Sequence, residues 1–338
     1  MKLAVAGLGF MGSTHLKALK GVPDARLAAV ISADVQKLNG DLSAIQGNIG
    51  GPGEKLDFTG VRKYSSLDEG FRDPEIEAVD LCLPTDLHAP AALAALRAGK
   101  HVLVEKPMAL SGDQADEMIS TAGRAGRILM VAQVLRFWPD YVALRDALGS
   151  GSLGPVRTAF FRRRCAAPTW SKWINDPGKS GGGVFDLLIH DADMCIHLFG
   201  LPEAVSATGH EDMAGGIDFI CAQLHYAAIP SVTITGGWHH PKSYPFSMEY
   251  TVQADGGTID YSSAGRPATL YRSDSSSEVL PLASGDGFEG ELRYFVDCCR
   301  QGRQPALCPP AESAAAVKLA LLMVEARKHK GEKIPCRF

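Results

Sequence analysis

Lys2-Leu3-Ala4-Val5-Ala6-Gly7-Leu8-Gly9-Phe10-Met11-Gly12 runs from an apolar stretch into three glycines at G-x-G-x-x-G spacing. Leu3–Ala6 is short and continuously apolar, the pattern of a strand buried on both faces of a parallel sheet. A helix is expected over Gly12–Leu19. Between strand and helix the glycines have separate tasks: a tight turn, a close approach of backbone to a pyrophosphate, and close helix–strand packing. The free N–H groups and positive dipole end of the helix suit phosphate. Gly7, Gly9, Phe10, Met11 and Gly12 are therefore candidate cofactor-binding residues, and the cofactor they suit is a dinucleotide, NAD or NADP.

An acidic residue about 20 positions on would bind ribose hydroxyls and favour NAD, whereas a nearby Arg would favour NADP. The second expected strand, Arg26–Ile31, leads to Ser32 at its tip and Asp34 two residues beyond, with no Arg adjacent. Both join the candidates. Asp34 tilts the reading to NAD, and NADP stays open because Ser32 does not repel a 2′-phosphate.

Outward from this loop, strands are expected at Ala78–Leu83 and His101–Val104, with an Ala/Leu-rich helix over Ala89–Ala98 that Gly99 stops. Strand–helix alternation implies right-handed crossovers and a parallel sheet covered on both faces. The glycine-rich stretch 47–53 is expected to be a surface loop. After about residue 125 the texture changes. One more buried strand at Arg127–Val134 and a helix at Asp140–Leu148 precede Val156–Arg162, Ala204–Gly209, Phe219–Tyr226, Ser231–Gly236, Ser247–Ala254 and Thr258–Tyr261. These carry β-branched or aromatic residues at alternate positions and read as a largely antiparallel sheet, open on one face. The expected organisation is a dinucleotide-binding domain over 1–125 and an α+β domain over 126–338. The final helix, about 311–329, is a candidate to pack back on the first domain.

The totals agree with such a protein. A chain of 338 residues exceeds what one core usually serves, and 46% hydrophobic with 21% charged residues is ordinary for a soluble globular protein. The net charge of −4 is spread along the chain, without a basic stripe for nucleic acid or an acidic tail. Nothing approaches the roughly 20 apolar residues of a membrane helix. The opening apolar run is too short and glycine-broken for a signal peptide. Eight cysteines include no C-x-x-C pair, and Cys298 and Cys299 are adjacent, so reduced thiols in a cytoplasm are expected.

Three further segments complete a pattern: Val79-Asp80-Leu81-Cys82-Leu83-Pro84-Thr85-Asp86-Leu87-His88, then Ala98-Gly99-Lys100-His101-Val102-Leu103-Val104-Glu105-Lys106-Pro107, then Ser180-Gly181-Gly182-Gly183-Val184-Phe185-Asp186-Leu187-Leu188-Ile189-His190-Asp191-Ala192-Asp193. With the opening loop, and in this order, they resemble the glucose–fructose oxidoreductase/inositol dehydrogenase (Gfo/Idh/MocA) family along essentially the whole chain. The fold that the resemblance implies is α/β, an N-terminal Rossmann doubly wound parallel sheet plus a C-terminal α+β domain with a large, mainly antiparallel open sheet.

The resemblance implies that Lys106 lies near the substrate hydroxyl and the nicotinamide, with Glu105 and Lys106 both in the cofactor-binding segment and a cis bond often found before Pro107. A cation beside a developing alkoxide stabilises it where water is excluded. Asp186 and His190 are four apart, so on a helix they share a face. That suits a general acid/base imidazole at His190 and a carboxylate, Asp186, that binds substrate or tunes the pair. Pro84, Thr85 and His88 match positions beside the cofactor, although family members usually carry Asn where Thr85 stands. Gln133, Arg136 and Trp173 match positions that line the substrate pocket. His190, Asp193 and His197 also share a helical face, but the family's pattern there needs no metal, and none is expected. His239 and His240 on a strand would face opposite sides.

The implied activity is hydride transfer between the nicotinamide and a hydroxyl or keto carbon of a sugar, cyclitol or sugar derivative. Two other readings stay open: a redox-neutral, NAD-retaining glycosidase or eliminating enzyme, and a cofactor-binding regulator without catalysis. A polyol substrate is the expected partner, with neither nucleic acid nor membrane. An open sheet face makes a homodimer or homotetramer the expected assembly.

Overall fold

The computed structural model describes residues 1–47, 53–169 and 173–338. The loop expected over 47–53 lies outside the described residues except at its two ends. The chain divides into two units, Met1–Val134 with Asp286–Ala314, and Leu135–Gly285 with Ala315–Phe338.

The first unit is built on β1 (Lys2–Ala6), β2 (Arg26–Ile31), β3 (Arg62–Tyr64), β4 (Ala78–Leu81), β5 (His101–Glu105) and β6 (Leu129–Ala132), in the order β3-β2-β1-β4-β5-β6. Every pairing is parallel. Leu3, Ala4, Val5, Val79, Leu81, Val102 and Val104 are fully buried, as the apolar runs require. The covering helices are α1 (Phe10–Ala18), α2 (Val35–Leu38), α3 (Leu67–Arg72), α4 (His88–Arg97) and α5 (Gly112–Ala125). β6 pairs with β5, Val102 opposite Leu129, so the first sheet continues past residue 125 and the unit's first segment ends at Val134. Strand order reverses beside β1, which flanks β2 on one side and β4 on the other. That crevice at the carboxyl ends is where open α/β sheets bind ligands.

The second unit opens with α6 (Pro139–Gly149), β7 (Val156–Cys165), α7 (Pro177–Ser180) and α8 (Gly183–Phe199). β8 (Ala204–Asp212), β9 (Ile217–His225), β10 (Ser231–Trp238), β11 (Ser247–Ala254), β12 (Gly257–Ser262), β13 (Arg266–Arg272), β14 (Ser277–Val279) and β15 (Ile334–Pro335) complete its sheet, ordered β14-β13-β12-β11-β7-β10-β9-β8-β15. Pairing is antiparallel except between β7 and β10. One face buries Phe161, Ile220, Leu224, Val232, Ile234 and Tyr250 and packs on α8. The other carries Phe160, 37% exposed, and charge pairs such as Arg157–Asp255 and Arg162–Glu249. Strands β13, β14 and β15 were not among those expected, being short or polar.

Two helices follow, α9 (Gly287–Gln301) and α10 (Pro310–Lys328). α9 lies within the segment that belongs to the first unit and packs on α1, with Arg293 donating to the carbonyl of Gly21 at 2.9 Å. The unit boundary at Ala314 falls inside α10. Among the described residues no helix is long and apolar enough to cross a membrane.

Candidate active site

The turn after β1 is shaped by what surrounds its glycines. Gly7 has φ +91°, and a Cβ there would fall on the carbonyl of Cys82, while one at Gly12 would fall on the carbonyl of Gly7. Those two positions admit only glycine. A Cβ at Gly9 would meet nothing within 4 Å. Gly9 is the N-cap of α1 and offers no side chain to it, and the first turn holds no acidic residue. An uncapped helix start facing open space fits the pyrophosphate of a dinucleotide. Met11 packs its side chain into the core, so its backbone alone is available there.

At the end of β2, Asp34 caps α2, its Oδ1 accepting from the N–H groups of Gln36 (2.9 Å) and Lys37 (3.2 Å). Ser32 Oγ accepts from Asp34 N at 3.1 Å. Both residues therefore have local backbone work, which accounts for them without a ribose. Their spacing from the glycines does not reveal this.

The end of β4 bears Pro84, the buried Thr85 and the buried His88. His88 brings Nδ1 to 2.7 Å from Pro107 O and Nε2 to 2.8 Å from Leu83 O. Burial lowers its pKa. It ties the end of β4 to the turn after β5, where the Lys106–Pro107 bond is cis. Lys106 is half-buried at that turn. Gln133, just beyond β6, is 1% exposed, and neither its side-chain oxygen nor its nitrogen has a hydrogen-bond partner. A buried unpaired amide costs about 1–3 kcal/mol, so it marks a place for a ligand or water. Gly9, Thr85, Lys106 and Gln133 thus follow the carboxyl ends of four neighbouring strands, β1, β4, β5 and β6.

Glu105 faces the interior at the end of β5. Its Oε2 accepts the N–H of Lys106 at 3.0 Å, and its Oε1 lies 3.0 Å from His15 Nε2. Both oxygens face protein groups, and the residue is 5% exposed. His15, on α1, has a fully buried ring with Nδ1 2.8 Å from Asp80 Oδ2 and Nε2 3.5 Å from Glu291 Oε1. Cys82 Sγ stands 3.6 Å from Nδ1. Burial opposes the ring's charge, but Asp80 and Cys82 outweigh it and raise the pKa of His15 well above its ordinary value. Burial pushes Glu291 well up too. Sequence reading missed this cluster, since its members come from three motifs and a distant helix.

In the second unit the glycine run is packed rather than open. A Cβ at Gly183 would strike the ring of Trp238, and one at Gly181 the ring of Phe185. Asp218 Oδ2 accepts the N–H of Val184 at 2.8 Å and so caps α8. On α8, Asp186 is 8% exposed and His190 half-buried, one turn apart. Asp191 and Asp193 fix the roll of the helix. Asp191 takes Arg163 at 2.9 and 3.0 Å, and Asp193 takes Arg136 at 2.8 and 2.7 Å.

Arg136 is one of the cations that hold α8. It is 2% exposed, with Nη1 also 3.2 Å from His197 Nδ1, so a guanidinium fills the side of α8 where Asp193 and His197 meet. Trp173 is half-buried, its carbonyl accepting from Asp176 N at 3.0 Å, and the three residues before it lie outside the described residues. β10 ends at Trp238, so His239 and His240 lie beyond the strand. Their ring centroids are 4.0 Å apart, not on opposite sides, and His240 stacks on Tyr244 at 3.7 Å.

Comparison with known proteins follows this division. The family model described as "Oxidoreductase family, NAD-binding Rossmann fold" matches residues 1–133, and that of the GFO/IDH/MocA C-terminal domain matches 141–260. The scyllo-inositol 2-dehydrogenase (NADP(+)) IolW of Bacillus subtilis is 26% identical, over 98% of this chain and 94% of its own length. The trans-1,2-dihydrobenzene-1,2-diol dehydrogenase of Mus musculus is 30% identical, over 82% of this chain and 84% of its own length. The structure of a levoglucosan dehydrogenase in complex with NADH and levoglucosan superposes with a TM-score of 0.83, covering 99% of both chains at 18% identity, and so shares the fold.

Proposed function

The chain belongs to the GFO/IDH/MocA oxidoreductase family, and from that membership we propose that it oxidises a secondary hydroxyl of a sugar, cyclitol or sugar derivative, or reduces the corresponding ketone. One observation carries the reading. Lys106, half-buried at the end of β5, stands two strands along the same sheet edge from the open backbone at Gly9. The names of the two relatives carry an inositol and a 1,2-diol, which favours a polyol.

The turn at Gly7, Gly9 and Gly12 would hold the pyrophosphate, with Pro84, Thr85 and His88 on the neighbouring strand end. When bound, the nicotinamide accepts or gives the hydride. The rest falls to the chain's own groups. The ammonium of Lys106 stabilises negative charge on the substrate oxygen. His190 takes or returns the hydroxyl proton, and Asp186, one turn before it, binds substrate and tunes the imidazole. Of the two dinucleotides, NAD is favoured by the negative charge of Asp34, which a 2′-phosphate would meet.

Purified protein offered NAD or NADP with a panel of cyclitols, aldoses, anhydrosugars and sugar phosphates should form reduced nicotinamide with one class. Lys106→Ala should then lower kcat by about 10²–10³-fold with cofactor affinity retained. Near-normal turnover in that variant overturns the assignment. Silence across the panel, with nicotinamide retained on the protein, turns the reading to the redox-neutral one. The outer face of the nine-stranded sheet supports a homodimer or homotetramer, and light scattering should give a multiple of the chain mass of 36.0 kDa.

A further inference from the structure

The cluster beneath the sheet edge joins four elements through one imidazole. His15 comes from α1, Asp80 from β4, Glu105 from the end of β5 and Glu291 from α9, and Phe288 of α9 lies 6.1 Å from the ring of His15. Cys82, at the end of β4, completes the groups that face it. Nδ1 is hydrogen-bonded to Asp80 Oδ2, whereas Nε2 faces Glu105 Oε1 at 3.0 Å as an ion-pair contact without hydrogen-bond geometry. With its pKa raised by these neighbours, the ring bonds Asp80 through Nδ1 and faces the Glu105 carboxylate through Nε2. The chain of contacts continues outward. Glu105 spends its other oxygen on the peptide N–H of Lys106.

We propose that His15 is a positioning residue for the redox step, holding the peptide of Lys106 in place through the Glu105 carboxylate. The proposal rests on the reading of Lys106 given above. His15 cannot act on substrate directly, being fully buried. Its leverage is geometric: the glycine turn is followed by the helix that carries it, and the reactive lysine is preceded by the carboxylate that it faces. A misplacement of about 1 Å at a reacting group can cost about 10²-fold in rate. A buried carboxylate without its cation would be free to turn from Lys106 N. Glu291, whose two oxygens lack hydrogen-bond partners, stands 3.5 Å from the ring, and burial raises its pKa well above the ordinary carboxylate range.

Two isosteric variants separate positioning from mere packing. Asn sets its amide N–H₂ where Nδ1 lies and Gln sets it where Nε2 lies, so each keeps one donor. His15→Asn keeps the bond to Asp80 and loses the polar contact with Glu105. His15→Gln does the reverse. On the polyol that the panel finds, His15→Asn should lose about tenfold to a hundredfold in kcat with the dissociation constant for NAD unchanged, and His15→Gln should recover most of it. Equal losses in both variants, in step with their melting temperatures, would mean packing alone and overturn the proposal. So would wild-type kcat in His15→Asn. Lys106→Ala measured beside them separates the two readings. If it stays active, the role of Lys106 fails. If it is inactive while His15→Asn is normal, only the positioning role fails.

A measurement on the wild-type chain does not depend on a variant folding. Nitrogen-15 NMR of histidine-labelled protein should show both ring nitrogens of His15 protonated well above the ordinary titration near about pH 6.5. A neutral ring at neutral pH, or stoichiometric metal in the purified protein by plasma emission, would overturn the proposal.

Discussion

Each unit buries charge, and the two do it differently. In the second, Arg163 lies on Asp191 through two bonds of 2.9 and 3.0 Å, and Arg136 on Asp193 likewise, so each cation has its own carboxylate in fork geometry. In the first, one imidazole faces Asp80, Glu105 and Glu291 with the Cys82 thiol beside it. The matched pairs act as struts that set the roll of α8 and with it Asp186 and His190. The unmatched cluster has more acid than cation, and protons must supply the difference. Charge matching separates a buried site that only supports from one whose protonation state is part of its structure.

The largest effect that tests this contrast lies in the struts. Arg163→Leu leaves Asp191 buried and unpaired and should cost about 3–5 kcal/mol in urea unfolding, whereas adding Asp191→Leu should recover most of it. A single variant within experimental error of wild type would break the comparison. The cluster predicts a smaller, pH-dependent effect. His15 and Glu291 both have raised folded pKa values, so each contributes stability that is whole below its unfolded pKa, about 6.5 and 4.3, and is lost as pH rises toward the folded value. Wild-type melting temperature should therefore fall from mildly acidic to alkaline pH. Glu291→Gln removes the glutamate's share, so its melting curve should fall less steeply, and equal slopes would remove the glutamate's proton from the account. The smallest effect belongs to neither cluster. Arg157 and Asp255, 2.6 Å apart and each 48% exposed on the outer sheet face, sharpen the contrast as a control. Arg157→Ala should change stability by no more than about 1 kcal/mol.

Much of the fold is legible because local pattern and burial coincide. The apolar runs of β1, β2, β4 and β5 are buried on both sides, so periodicity marks them, and alternation marks β7, β9 and β10. The glycine runs show where reading stops. Gly9 opens on space and Gly183 lies under Trp238, yet in sequence both are glycines at the start of a helix. Only the neighbours, one of them 55 residues further on (238 − 183), tell a ligand cradle from a packing cavity. Arg136 meets the same limit. A buried arginine is written like a pocket arginine, and its partner Asp193 comes from another helix. Glu291 had no motif around it. Its meaning comes from His15, and no short-range pattern links the two.

The return of Asp286–Ala314 to the first unit has a consequence for the order of synthesis. Roughly 150 residues separate Val134 from Asp286, and at about 5–20 residues per second a ribosome takes on the order of 10–30 s to make them. Through that interval the nascent first unit has all six strands but no α9, so the side of α1 that carries His15 lacks the helix that will cover it. The first domain to be translated is in this sense among the last to be finished, and its closing piece brings the glutamate that the histidine has been waiting for.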